Sequence, residues 1–267
     1  MSAHAFLMKG KIMLQSIKQL LGDRLGASDG DIGHVKDFYF DDQNWVVRYL
    51  VADTGSWLTG RQVLLSPHAI GSLHHAGKVL RVNLTRKKIE NSPAIETRKP
   101  VTRQHEEEYH RHYGWPAYWL GEGIWGACGV SILQTPANAL PSTSVAGNGT
   151  EPKRANAHLR STQAVSGYHV QATDGIIGHI CDFMMDDKSW TIGQIVVKTG
   201  HRLTGNEVLV PVSQVDRISY DDSTVFVKMT MEAVEKSPAY HLPPVRVEGI
   251  TPPSQNSRQK NKEFTIL

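Results

Sequence analysis

An internal duplication constrains this chain more than any other feature. The segment from Ala27 to Phe38 (ASDGDIGHVKDF) recurs as Ala172 to Phe183 (ATDGIIGHICDF), an offset of 145 residues. The offset then holds without a gap. Asp41-Asp42 matches Asp186-Asp187, Trp45 matches Trp190, and Thr54-Gly55 matches Thr199-Gly200. Leu58-Thr59-Gly60 matches Leu203-Thr204-Gly205, and Ser92-Pro93-Ala94 matches Ser237-Pro238-Ala239. Upstream, Leu14, Ser16 and Gly22 match Leu159, Ser161 and Gly167; about 28 of about 81 aligned positions are identical. A period this long is a repeated domain, not a solenoid unit. Each copy, about 80 residues long, is marginally large enough to bury a core of its own.

Within each copy, short apolar runs are bounded by turn residues, the signature of strands. Asp29-Gly30 and Asp174-Gly175 read as hairpin turns. Strands are expected at Ile32–Phe40, Trp45–Ala52, Arg61–Leu65 and Val79–Leu84. The second copy repeats them at Ile176–Met185, Thr191–Lys198, Glu207–Val210 and Val225–Met229. Asp41 to Asn44 is a polar turn. Thr85 and Thr230 read as N-caps of one or two helical turns that stop before Pro93 and Pro238. The residues that define the repeat are Gly30, Gly33, Asp37, Trp45, Gly55 and Gly60, with Gly175, Gly178, Asp182, Trp190, Gly200 and Gly205. Five or six short strands with tight turns point to a small antiparallel barrel, which removes exposed edges by closure.

The run from Gly33 through Asp37-Phe38, the Asp-Asp turn, the apolar return strand and Gly60 to Pro67 resembles the PRC-barrel domain. Both copies carry the pattern. That domain is shared by the H subunit of photosynthetic reaction centres and the RimM-type ribosome maturation factor. The connector, Pro100 to Tyr109 followed by Tyr113 to Trp119, is similar to stretches of bacterial tandem PRC-barrel proteins. The resemblance implies a mainly β chain of two tandem antiparallel PRC-type barrels with short flanking helices. Barrel 1 covers residues 12–95, an aromatic-rich linker 96–156, barrel 2 157–240, and a tail 241–267. The chain departs from the reaction-centre subunit in showing no N-terminal membrane helix, and from the ribosome factor in duplicating the barrel.

In the linker, Thr102 to Tyr113 reads as a capped, charged helix. Tyr109, Tyr113, Trp115, Tyr118, Trp119 and Trp125 crowd the same span. Either these rings dock a partner or they cover a barrel face and cement the two domains. The second reading is favoured, because large apolar patches are seldom left exposed. Pro136 to Asn156 and the polar tail carry a flexible composition.

Catalytic signatures were sought and not found. The sequence has no phosphate loop, no Gly-x-Ser-x-Gly and no His-Glu-x-x-His. His105, His110 and His112 have poor spacing for a helical metal pair and read as a solvated face. His74-His75 reads as a turn. His34 and Asp37, repeated as His179 and Asp182, could be an acid–base pair, yet strand alternation puts them on opposite faces. The Asp-Asp turns are too poor in carboxylates to favour a cation. Cys128 and Cys181 make neither a Cys-x-x-Cys pair nor a disulfide framework, and with no signal peptide they point to the cytoplasm. The formal net charge of +3 neither demands nor excludes an acidic partner.

The expectation is therefore a non-catalytic scaffold or adaptor for a protein partner in a bacterial cytoplasm, with no catalytic residue, cofactor, metal or transmembrane segment. The alternatives are an RNA- or ribosome-associated assembly factor, and a peripheral component of a photosynthetic or other membrane complex. The sequence does not give the oligomeric state.

Overall fold

The computed structural model describes residues 14–70, 73, 78–93, 101–120, 158–200 and 205–241. The chain is mainly β. Its first half runs β1 (Leu14–Ser16), α1 (Ile17–Leu20), β2 (Arg24–Ala27), β3 (Gly30–Asp41), β4 (Val46–Asp53), β5 (Gln62–Leu65), β6 (Val79–Arg81) and α2 (Arg86–Glu90). Helix α3 (Arg103–Tyr113) follows. The second half repeats the order with β7 (Leu159–Ser161), α4 (Thr162–Val165), β8 (His169–Ala172), β9 (Gly175–Asp186), β10 (Ile192–Thr199) and β11 (Glu207–Pro211). It closes with β12 (Val215–Ser219), β13 (Thr224–Val227) and α5 (Met231–Glu235).

All four expected strands of each copy are present, the last of each shorter than expected at its end (β6 stops at Arg81 and β13 at Val227), and Thr85 and Thr230 cap α2 and α5 by accepting from Lys88 N and Ala233 N. The sheets are mixed, which corrects the expectation of purely antiparallel pairing. β2 runs parallel to β6, and β8 runs parallel to β13. The chain leaves the sheet after β5 and returns along β6 in the direction of β2, so the last strand cannot be antiparallel to it. The hydrogen-bonded path of the second sheet runs β11-β10-β9-β8-β13-β12. Its two ends, β11 and β12, are joined by three residues, Val212–Gln214, and are not paired to each other.

The first strand of each copy pairs with the other copy. β1 lies antiparallel on β9, with Leu14 opposite Asp186 and Ser16 opposite Met184. β7 lies on β3, with Leu159 opposite Asp41 and Ser161 opposite Tyr39. These two pairings are related by the same 145-residue offset. The halves also meet at the tips of their long hairpins. Val47 N donates to Trp190 O at 2.9 Å, and Ile192 N donates to Trp45 O at 2.7 Å. Such reciprocity is the isologous contact of a twofold dimer, here built within one chain. Trp45 and Trp190 both adopt left-handed backbone, φ 54° and 59°. A non-glycine residue there costs roughly 1–2 kcal/mol, and the conformation recurs at the two hairpin tips, where the halves bond to each other. Phe40 stacks on Trp45 at 5.5 Å and meets Phe183 of the other half at 5.8 Å. One apolar core runs through both halves, from Ile17, Phe38 and Leu50 to Phe183, Ile195 and Val225.

Gly33 and Gly178 sit where β3 and β9 pass the end of the neighbouring strand. A Cβ at either would overlap a main-chain carbonyl oxygen, that of Asp53 or of Lys198. Gly205 is in the same position against Thr199, whereas Gly60 has open space and is needed for its φ of +73°. Substituting Gly33→Ala or Gly178→Ala is expected to destabilise by more than about 3 kcal/mol, since backbone and not a side chain must yield. Chemical denaturation of each variant checks this; Gly60→Ala loses less.

Candidate functional site

Two sets of polar groups converge inside the molecule. The first pair sits where each arm docks. A register shift between Val35 and Asp37 leaves Lys36 as an extra residue. This bulge turns Asp37 to the face opposite Phe38, where it is 8% exposed. It also corrects the face assignment made from alternation. Val35 opposes Ala52 and Asp37 opposes Val51, so the exposed His34 and the buried Asp37 share one face. The same irregularity recurs at Cys181, between Ile180 and Asp182.

Asp37 is filled by the arm of the other half. The Ser161 hydroxyl donates to Oδ2, while the Thr162 hydroxyl donates to Oδ1 at 2.9 Å and Gln163 N at 3.2 Å. Phe38 N donates to the same Oδ1 at 2.7 Å. Asp182 mirrors it, accepting from the Ser16 hydroxyl at 2.5 Å, Lys18 N at 2.9 Å and Phe183 N at 2.7 Å. Ser16 and Ser161 are also the N-caps of α1 and α4, accepting from Gln19 N and Ala164 N. Each serine therefore receives a helix N–H and passes its own proton to the carboxylate. Burial pushes both carboxyls above the usual range, and these donated hydrogen bonds pull them part of the way back.

The second set lies under α3, which packs on the outer face of the first sheet. Thr102 caps the helix, accepting from His105 N, and Gly114 ends it in left-handed backbone. Glu106, Tyr109, His110 and Tyr113 fall on one face at i, i+3, i+4 and i+7, and all are buried. Tyr109 and Tyr113 pack with Tyr49, Val51 and Leu64 of β4 and β5, and Leu159 of the β7 arm borders the same cluster. Glu106 is 0% exposed. Its Oε1 accepts from Tyr49 OH at 3.0 Å and Tyr118 OH at 2.5 Å, and its Oε2 pairs with Arg103 at 3.0 Å. Arg48, nearly buried itself, lies 4.0 Å over the Tyr118 ring and pairs with Asp41 at 3.1 Å.

His110 Nδ1 lies 2.8 Å from the Pro116 carbonyl oxygen, which only accepts, so the neutral ring carries its proton there. Nε2 is then an acceptor 2.9 Å from Tyr49 OH. One phenolic proton thus serves both Glu106 and His110. The His110 ring is walled by Trp115, Tyr118 and Trp119, with centroids at 5.9, 6.0 and 4.7 Å. Burial drives its pKa from 6.5 down to about 4, against the raising effect of the Pro116 and Trp115 carbonyls. Charging this ring favours the unfolded chain. The stability it confers is complete above about pH 6.5 and is lost as pH falls toward 4, a loss of roughly 2–3 kcal/mol. Denaturation midpoints at pH 7.5 and 4.5, compared with those of His110→Gln, test this. The variant should lack that part of the slope.

Of the six aromatic candidates, Tyr109 is fully buried, Tyr113 is 9% exposed, and Trp115, Tyr118 and Trp119 are half-buried. Trp125 lies outside the described residues, as do His74-His75, Cys128, Leu203-Thr204, residues 121–157 and the tail from 242. His110 is 5% exposed, which corrects its placement on a solvated helix face; the exposed side of the helix carries Gln104, Glu107 and Arg111. Among the repeat residues, Gly30 and Gly175 end the β2–β3 and β8–β9 turns, and Gly55 and Gly200 follow the second hairpin strand. Burial pushes the Cys181 thiol up to about 12, so it is no thiolate at neutral pH. Among the described residues no group of three metal-ligating side chains comes together, and no helix is long and apolar enough to cross a membrane. The chain matches no protein-family model, and no curated protein sequence is similar enough to count as a match.

Proposed function

We propose that the chain is a non-catalytic scaffold of two PRC-type barrels that presents surface to a protein partner in a bacterial cytoplasm. One observation carries the reading. Three of the buried carboxylates, Asp37, Asp182 and Glu106, have oxygens filled by donors from a different segment of the same chain. These three groups fasten arms and a helix, their oxygens already taken by donors of the chain itself. Half-buried Trp115 and Trp119 at the rim of the α3 cluster supply apolar contact surface beside the helix.

Affinity capture from the native host tests this, with the wild type and a Trp115→Ala/Trp119→Ala variant compared. The reading predicts a stoichiometric protein partner that the variant loses. Turnover in a hydrolase and redox screen, abolished by His34→Ala or His179→Ala, would overturn it.

A further inference from the structure

The repeat places equivalent surfaces at the two far ends of the molecule. β3 runs from Gly30, beside α2, to Asp41, at the contact between halves; β9 runs likewise from Gly175 to Asp186. Twelve residues of strand span up to about 40 Å, so the α2 and α5 ends point away from that contact. Their local build is the same. Asp29 accepts from Arg86 N at 2.7 Å, and Asp174 accepts from Met231 N at 2.8 Å. Their charge is opposite.

The α2 end carries Arg24, Lys78, Arg81, Arg86, Lys87 and Lys88 against Asp29, Asp31 and Glu90, a formal charge of +3. The α5 end carries Asp174, Asp221, Asp222, Glu232 and Glu235 against Lys228 and Lys236, likewise a formal −3. Most of these groups are exposed. The acidic end also holds Ile176, at 60% the one exposed large apolar side chain among the described residues. It stands where the basic end has Asp31. The basic end offers a half-buried ring, Trp57, under Arg86 at 4.6 Å.

We infer that the acidic α5 end of one copy docks on the basic α2 end of another, so that the chain associates head to tail. The apolar anchor is Ile176 and the rims are complementary. A contact between two different surfaces leaves one of each surface free on every pair, so it propagates into chains or rings and does not stop at a twofold dimer. The inference does not depend on the scaffold reading.

Sedimentation velocity on the full chain, over a range of concentrations at about 20 and about 300 mM salt, tests it. The wild type should grow beyond a monomer with concentration at low salt, and the association should weaken by about tenfold or more at high salt. Lys87→Glu/Lys88→Glu and Glu232→Lys/Glu235→Lys change exposed side chains only. Each variant alone should be monomeric, and an equimolar mixture of the two should associate again. A wild type that stays monomeric at every concentration overturns the inference, as it would if the acidic end were covered by the chain's own basic tail. So do association indifferent to salt, a mixture that stays monomeric, or salt-sensitive binding of an RNA homopolymer in place of self-association.

Discussion

Asp37→Ala is expected to cost about 3–5 kcal/mol and to free the β7 arm from the first sheet. The substitution strands the Thr162 hydroxyl in a buried place and the Ser161 hydroxyl and Gln163 N–H in a partly buried one, and an orphaned buried donor costs roughly 1–3 kcal/mol before relaxation. Asp182→Ala should do the same to β1, somewhat less severely, since the arm there loses two donors to the carboxylate where the β7 arm loses three. The charge itself is not what holds the arm. Burial raises both carboxyl pKa values above 3.8, so the folded state keeps its proton more readily than the unfolded chain. The contribution from these two groups is therefore complete at pH below 3.8 and declines as pH rises through their folded values. Asp37→Asn, which keeps an acceptor for Thr162 and Gln163, should accordingly lose less than half of what Asp37→Ala loses. Urea unfolding of the three variants, with protection of the Leu159–Ser161 amides read by hydrogen exchange, checks both parts.

Glu106→Ala is expected to be comparably severe, about 3–5 kcal/mol, because it removes the buried partner of Arg103 and the carboxylate acceptor of the Tyr118 hydroxyl, and leaves Tyr49 OH with His110 Nε2 alone. Loss of α3 uncovers Tyr49, Val51 and Leu64. The variant should bind an apolar dye under conditions where the wild type does not, and should lose helical circular dichroism while its strand signal persists. Tyr49→Phe removes only the shared proton and should cost about 1–2 kcal/mol. If Glu106→Ala matched Tyr49→Phe in cost, the carboxylate would not be the fastener of the helix.

Much of this architecture can be read from residues. Self-similarity at one fixed offset gives the duplication, and β3, β4 and β5 show themselves through apolar runs stopped by Asp41-Asp42, Thr54-Gly55 and Ser66-Pro67. Thr102, Thr85 and Thr230 mark their helices because a hydroxyl before a helical run has a definite use. The arms cannot be read this way. Leu-Gln-Ser and Leu-Arg-Ser are too short to show a period, and their strand partners lie 168 to 172 residues away in one case and 118 to 122 in the other. Only the recurrence of Leu14 and Ser16 at Leu159 and Ser161 hinted that those positions have work to do.

The Asp37 site was hidden by a bulge, which alternation cannot foresee. The α3 site was hidden by composition. Three glutamates and three histidines read as solvated, yet Glu106, Tyr109, His110 and Tyr113 keep the spacing of one helical face, and that spacing was the available signal. Parallel pairing of β2 with β6 was missed for a related reason. It depends on the path of the chain between β5 and β6, not on the composition of either strand.

Reciprocal exchange of the arms is the claim on which the rest stands, and a disulfide tests it most directly. In a background with Cys128 and Cys181 replaced by serine, Leu14→Cys is combined with Asp186→Cys, its cross-strand neighbour, or with Asp41→Cys, the equivalent position in its own half. Under mild oxidation the first pair should form an intramolecular bond, found by peptide mapping of monomeric protein, and the second should not. A bond between positions 14 and 41, with none between 14 and 186, would mean that each arm stays at home and that the two halves are separate domains.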